Sequence, residues 1–379
     1  MASGRIKLSD VAGAAGLSIT QVSRALAGYA DVAAATRERV AGIARTMGYR
    51  PSARARALAS GRELAPRCTL VSLGFVPESI VLSSYGPVLP GVMTRAAELG
   101  LQIHLETVPH GVPPAEALRR LAAEDRADGV IVLTFLRLTP EDVQPLVEAG
   151  LPFVLVNRHF RHVAGTAAHL VNQVVPDWIG GTRDAVERLA ALGHRSVVGL
   201  FSSRETSTLL DHEQGWREGV ARCGLDPALA PVVRYPMEGP GDVDNRQGHL
   251  VGRRLLTEGL PGSGARPTAV VAFNDFCAHG VLQAARELGV AVPGTLSVIG
   301  FDDSIARFTF PRLCSYNPEF HLLGVHAAEL LGTLLRGDGD NGVRGGNGEG
   351  NGEVGPAPAR QVTVPLRFVC RESCGPAPG

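Results

Sequence analysis

At 379 residues the chain has room for two or three domains, and its 45% apolar composition excludes an intrinsically disordered class. Basic and acidic residues balance at 37 each, but residues 1–67 hold eleven basic and four acidic side chains, so a +7 head precedes a −7 body. A basic head on an acidic body points to a polyanion partner for the head alone, and the lack of any long uninterrupted apolar run argues against a membrane span.

The first fifty residues read as short helices. Ser9 and Asp10 are placed to cap a first helix that Gly16 ends. Ser18 caps a second, over 18–27, which Gly28 ends, and Thr36 caps a third with Val40, Ile43, Ala44 and Met47 on one face. About three residues, one a glycine, separate the first two, which is the spacing of a helix-turn-helix. The second helix, "GLSITQVSRAL", crowds Ser18, Thr20, Gln21, Ser23 and Arg24 together although only Val22, Ala25 and Leu26 suit a core. Residues 51–67, "PSARARALASGRELAPR", form a Pro-bounded, Ala/Arg-rich linker with Leu58 in its middle.

From residue 68 strands alternate with helices. Apolar runs at 68–76, 101–108, 129–135, 152–157, 196–202, 269–274 and 296–303 are separated by amphipathic stretches, three of which end in "LG". Continuous apolar strands between helices indicate parallel sheets covered on both faces, and their number implies two α/β lobes. Ligands of such sheets bind at the carboxyl ends of the strands. Residues 337–359, rich in Gly and Asn, read as a loop before the last strand. The N-terminus carries no apolar signal core, so a cytoplasmic location is expected, and the six scattered cysteines, with no CxxC pair, are expected to be free thiols.

"LSDVAGAAGLSITQVSRAL", "ATRERVAGIARTMGYRPSARARAL", "DGVIVL", "ALGHRSVVGL", "RPTAVVAFNDFCAHGVLQAARELGVAVPGTLSVIGFDD" and "PLRFVCRES" occur in one order along nearly the whole chain. Together they resemble the lactose-repressor (LacI/GalR) family of bacterial transcription regulators. The resemblance implies an α/β protein. Its parts are a helix-turn-helix head over 1–50, a hinge over 51–67 and a two-lobed periplasmic-binding-protein-like core over 68–379. It also implies a homodimer on double-stranded, palindromic operator DNA, most often a repressor, controlled by a small-molecule effector of the sugar class. By the same resemblance Ser18, Gln21 and Ser23 are phosphate-side contacts, Ile19 and Thr20 occupy base-reading positions, and Arg24 meets a base with its fork. Tyr49 joins them, and Leu58 corresponds to the leucine that wedges between base steps in the minor groove. Gln21, Ala27, Ala33 and Ser52 depart from the family's usual Thr, Asn, Ser and Asn.

For the core, Asn274 and Asp302 each end an apolar strand, where an interlobe ligand would lie, and the resemblance makes them hydrogen-bonding partners of ligand hydroxyls; the alternative is that Asn274 caps the next helix and Asp302 the next turn. Arg158, Tyr85 and Phe320 are further effector candidates; Asp275 and Asp303 read as structural. His212 stands where the family usually has a ligand-binding arginine, Trp178 where it commonly has asparagine, and Pro318 where it often has a polar contact. Trp216 and Phe273 suit either a sugar or the core. "HFRH" reads as a surface His pair, with no metal site, no cofactor and no enzyme motif such as a P-loop, GxSxG or HExxH in the chain. A solute-binding protein of the same core fold is the alternative reading; it leaves the basic helical head without a purpose.

Overall fold

The computed structural model describes residues 8–26, 29, 32–47, 65–75, 86–124, 127–134, 136–161, 171–236, 245–336 and 359–379. Tyr49, Leu58, Tyr85, His162, most of the linker and all but the last residue of the 337–359 segment lie outside them. The chain divides into two compact units, Met1–Ala65 and Pro66–Gly379.

In the first unit, α1 (Leu8–Ala15), α2 (Ile19–Leu26) and α3 (Ala34–Thr46) enclose a small core of Val11, Ala12, Ala15, Val22, Ala25, Val40 and Ala44. Apolar side chains three and four apart give each helix one buried stripe. Gly16 turns the chain out of α1 with φ +65°, and Leu17 returns its amide to Ala12 O. Two helix starts differ from the sequence reading. Helix α1 begins at Leu8, so Ser9 and Asp10 lie inside its first turn, and α3 begins at Ala34 from an uncapped Ala33, two residues before Thr36. A side-chain cap helps a helix end but does not define it; packing of Val40 and Ala44 carries α3 past the candidate cap.

The second unit is built of two sheets with the same winding. Strands β1 (Arg67–Phe75), β2 (Gln102–Pro109), β3 (Gly129–Thr134), β4 (Phe153–Val156), β5 (Asn172–Pro176) and β11 (Gln361–Val364) form one sheet in the order β2-β1-β3-β4-β5-β11, parallel throughout. Strands β6 (Val197–Ser202), β7 (Val232–Tyr235), β8 (Ala269–Ala272), β9 (Ser297–Phe301), β10 (Cys314–Asn317) and β12 (Arg367–Val369) form the other, in the order β7-β6-β8-β9-β10-β12. Only the β10–β12 pair in that second sheet is antiparallel.

Alternation along the strands fills both faces of the first lobe. Cys68, Leu70, Ile131, Leu133, Val154 and Val156 face one core, packed under α4 (Val88–Glu98) and α11 (Phe320–Arg336). Val71, Leu73, Val130, Val132, Phe153 and Leu155 face the other, under α5 (Pro114–Ala123) and α6 (Pro140–Glu148). Helices α4 and α11 cross on glycine. A Cβ on Gly91 would sit 2.1 Å from His321 O, and one on Gly324 would sit 2.1 Å from Val88 O. The second lobe carries α7 (Trp178–Ala191), α8 (Ser207–Arg222), α9 (Arg246–Glu258) and α10 (Asp275–Glu287), with α7 packed on α8 and α9 on α10.

Three connections join the lobes. Asp177 leads from β5 into α7, residues 318 and 319 lead from β10 back to α11, and Pro365 and Leu366 lead from β11 to β12. The first lobe therefore closes with α11 and β11 from late in the chain, and the second with β12 after them.

Candidate functional site

Two places gather polar groups that the fold does not need for its core. The first is α2. Val22 and Ala25 are buried, Leu26 is half-buried, and Ser18, Ile19, Thr20, Gln21 and Arg24 are exposed; Ser23 is half-buried. Ile19 keeps 54% of its surface in solvent, an unusual place for a large β-branched side chain that has nothing to cover it. Ser18 and Gln21 make a reciprocal capping box. The Gln21 amide donates to Ser18 Oγ at 3.2 Å, and the Ser18 amide donates to Gln21 Oε1 at 3.0 Å. The glutamine that departs from the family's threonine thus fastens the start of its own helix. Arg24 lies over the Tyr29 ring at 5.0 Å, and Arg37 donates to Tyr29 O at 3.4 Å, so the arginine at the far end of α2 is propped by the segment that follows.

The second place is the carboxyl ends of the strands of the larger unit. Four non-glycine residues among those described there have positive φ: Asn157 after β4 (56°), Asp302 and Asp303 after β9 (95° and 51°), and Glu319 ahead of α11 (52°). Asn and Asp tolerate this region better than other L-residues, and such positions concentrate at functional sites.

The sequence-derived effector candidates separate on their surroundings. Asp302 is half-buried; its amide donates to Tyr316 O at 2.8 Å. Asn274 is buried, and its Oδ1 caps α10 by accepting from the Cys277 amide at 2.9 Å. Phe320 is buried at the start of α11. Asp275 is structural, as the sequence suggested. Its carboxylate accepts from the Ser304, Ile305 and Ala306 amides and from Ser315 Oγ, and so holds the loop after β9. Burial nevertheless pushes its pKa up to about 7. Asp303 pairs with Arg371 at 2.6 Å. Trp216 belongs to the core, its Nε1 donating to Ala230 O at 3.0 Å, and Phe273 is buried too.

His212 is enclosed. It is buried, with Nδ1 2.7 Å from Thr182 Oγ1 and its ring 4.7–5.5 Å from the rings of Phe301, Trp178, Phe273 and Phe201. Nε2 has no hydrogen-bond partner among the described residues. Burial pushes the His212 pKa down to about 3, so the ring is neutral at pH 7. A guanidinium could not be left in this cage without a counter-charge; a neutral imidazole can.

Arg158 is also committed within the chain. Its guanidinium donates to Leu136 O at 3.1 Å, Asn157 O at 2.6 Å and Thr208 Oγ1 at 3.0 Å. That last bond crosses from the first lobe to the second, and its neighbours do the same. Trp178 Nε1 donates to Asn157 Oδ1 at 2.8 Å, and the His159 amide donates to Ser207 Oγ at 3.3 Å. His159 Nε2 meets Asp211 Oδ2 at 2.8 Å, and Arg161 reaches the same oxygen at 3.0 Å. The Arg161 amide donates to His159 Nδ1, so Nε2 carries the proton given to Asp211. Contrary to the surface reading of "HFRH", His159 is buried and forms, with Asp211, the centre of a polar seam between the lobes. Sequence reasoning missed this seam because its two sides are about fifty residues apart and on different lobes.

Comparison with known proteins gives the family. Residues 7–52 match the family model described as "Bacterial regulatory proteins, lacI family", and residues 186–374 match the one described as "Periplasmic binding protein-like domain". The transcriptional regulator CelR of Thermobifida fusca is 30% identical over 341 residues, which span 90% of this chain and 95% of that one. The chain belongs to the LacI family. Like its relatives, this LacI-family protein is a DNA-binding transcriptional regulator with an effector-binding core, and the solute-binding alternative falls away. The lactose operon repressor of Escherichia coli is 27% identical over 334 residues, or 88% of this chain and 85% of the repressor. A solved CelR–cellobiose complex superposes with a TM-score of 0.65 at 26% identity, covering 97% of this chain and all of the other. A lac repressor dimer bound to operator and an anti-inducer has the same fold, with a TM-score of 0.65. No helix among the described residues is long and apolar enough to cross a membrane.

Proposed function

We propose that this regulator represses transcription as a homodimer on a palindromic operator and that a sugar-class effector, bound between the lobes of the core, sets its operator affinity. The observation that carries the reading is the polar, solvent-facing edge of α2 on a head whose other side is a closed apolar core. A helix with that edge enters a major groove with its N-terminal residues at the bases. Ile19 offers a thymine methyl an apolar contact, Thr20 a hydroxyl, and Arg24 a fork for the two acceptors of a guanine. Ser18, Gln21 and Ser23 then face phosphate, with the Gln21 amide nitrogen as donor because its oxygen holds the Ser18 amide. Tyr49 and Leu58 complete the DNA contacts on the strength of the resemblance alone.

In the core, Asp302 is the half-buried carboxylate to which a hydroxyl-rich ligand binds, and Asn274 and Phe320 support it. Arg158 acts through the interlobe seam rather than by reaching the ligand. His212 meets the effector only through Nε2. CelR in complex with cellobiose makes sugars the first class to test. Exposed Phe308 and Phe310, 72% and 85% accessible, offer an apolar face for the second copy of the chain.

The test is operator affinity of the purified protein on its own upstream DNA, at fixed salt, with and without mono- and disaccharides. Tight binding shifted by a sugar supports the reading. Binding to all sequences alike removes the operator role, and specific binding that no sugar moves removes the sugar class.

A further inference from the structure

Three cysteines meet where the C-terminal segment closes the second sheet. Antiparallel pairing of β10 with β12 sets Ser315 opposite Val369, and the Glu372 amide's bond to Arg312 O keeps the same register beyond the strand end, which brings Cys370 opposite Cys314. Residues so opposed have their Cβ atoms about 5 Å apart on the same face. The three thiols are near enough to act on one another's titration, the Cys314 thiol raising the pKa of both Cys370 and Cys374. The segment is held in place around them. The Arg371 amide donates to Cys314 Sγ at 3.1 Å, Ser373 Oγ accepts from the Cys314 amide at 2.8 Å and donates to Val298 O at 2.6 Å, and Glu372 pairs with Arg312 at 2.6 Å. The three sulfurs are graded in access: Cys370 exposed, Cys374 half-buried, Cys314 buried. No group of three or more His, Cys, Asp or Glu placed to hold a metal ion occurs among the described residues.

We propose that Cys370 and Cys314 are an oxidisable dithiol, in which a hydroperoxide reacts at Cys370 and Cys314 then closes a disulfide between β12 and β10. The Cys370 sulfur attacks one peroxide oxygen and the O–O bond breaks, giving a sulfenic acid and, from hydrogen peroxide, one water (from an organic hydroperoxide, the alcohol), with the thiol proton leaving in that product. The Cys314 sulfur attacks the sulfenic sulfur and displaces hydroxide, which leaves as a second water with the Cys314 proton. Two thiols lose two electrons to the peroxide and become a disulfide. Hydrogen bonds from Cys374 and from the Arg371 amide lower the Cys314 pKa and favour the attacking thiolate. Access and not acidity selects Cys370, whose own pKa is raised by burial and by the neighbouring Cys314; Cys68 and Cys277 are fully buried, and burial pushes each up to about 12. A reversible disulfide of this sort suits a reducing compartment, where such bonds are transient and report oxidant.

The experiment treats the native, full-length protein with hydrogen peroxide, blocks free thiols by alkylation, and maps peptides by mass spectrometry without reductant. The expected product joins the Cys314 and Cys370 peptides, lacks two hydrogens, reverts with dithiothreitol, and leaves Cys68 and Cys277 alkylated. Cys370→Ser abolishes the cross-link, and Cys374→Ser slows it severalfold while leaving circular dichroism and operator binding unchanged. Recovery of Cys314 as a free thiol while Cys370 proceeds to sulfinic acid overturns the proposal. So does a Cys314–Cys374 product that forms as fast in Cys370→Ser as in the parent.

Discussion

Replacing Asp211 by alanine should loosen the lobes of the core without unfolding either one. The carboxylate is fully buried and accepts from His159 Nε2 at 2.8 Å and from Arg161 Nη2 at 3.0 Å. Its removal leaves the His159 N–H buried with no acceptor there, which costs about 1–3 kcal/mol. The Arg161 contribution is smaller, because 37% of that side chain remains in solvent and screening reduces the pair to below about 1 kcal/mol. A total near 3 kcal/mol shifts an equilibrium between docked and separated lobes by roughly a hundredfold. Amide hydrogen exchange reads this directly. Residues 157–161 and 207–211 should exchange faster by that order in Asp211→Ala, with strands β3 and β8 unchanged, and Asp211→Asn should recover part of the protection through its remaining oxygen. If exchange rises equally throughout the second lobe and not at 157–161, Asp211 merely holds α8 in place, and the seam does not hold the lobes together.

Other outcomes follow from the same contacts. Arg24→Ala should cost about 1–3 kcal/mol at one base pair and relax specificity there in a binding series over operator variants; equal loss on every sequence would make Arg24 a phosphate contact. Asp302→Ala should leave operator affinity intact and abolish the response to effector in the same assay. Ser18→Ala removes one half of the capping box and should destabilise the head by about 1 kcal/mol, seen as weaker binding to all operators and earlier melting of the head's helical signal. The depressed pKa of His212 means that the unfolded chain takes up a proton first. Stability should therefore fall as pH drops from 6.5 towards about 3, by up to about 1.4 kcal/mol per pH unit, and denaturant melts of His212→Phe should show a shallower slope.

The long apolar runs were legible because nothing but a covered parallel strand suits "GVIVLT" or "SVVGLFS", and all seven runs became strands. Strands β5, β7, β10, β11 and β12 were not read as runs. They are three to five residues long and carry Asn, Gln, Arg or Ser, and they exist because a neighbouring strand supplies their hydrogen bonds. Helix ends at Gly100, Gly193 and Gly289 were readable from glycine, and each has positive φ. The site was legible in part. Ser18 and Gln21 stand three apart in the S-x-x-Q pattern of a capping box, a local signal within reach of sequence reasoning. Whether Asn274 faces ligand or caps its helix was a choice between two roles for one side chain, and the spacing of residues does not decide it. The enclosure of His212 and the pairing of His159 with Asp211 depend on how sheets and helices from distant parts of the chain come together, which periodicity does not encode.

The interleaving of the lobes has a consequence for synthesis. The first lobe's sheet lacks its outer strand until Gln361–Val364 is made, and one of its faces lacks α11 until Phe320–Arg336 is made. While the ribosome is still working through the middle of the chain, Ile131 and Val154 therefore lack part of their cover, with α4 alone in place on that side. Neither lobe can finish before the other has begun, so the core matures as one late event and not as two beads in succession, and a chain stopped before residue 320 presents a broad apolar sheet face to chaperones and proteases.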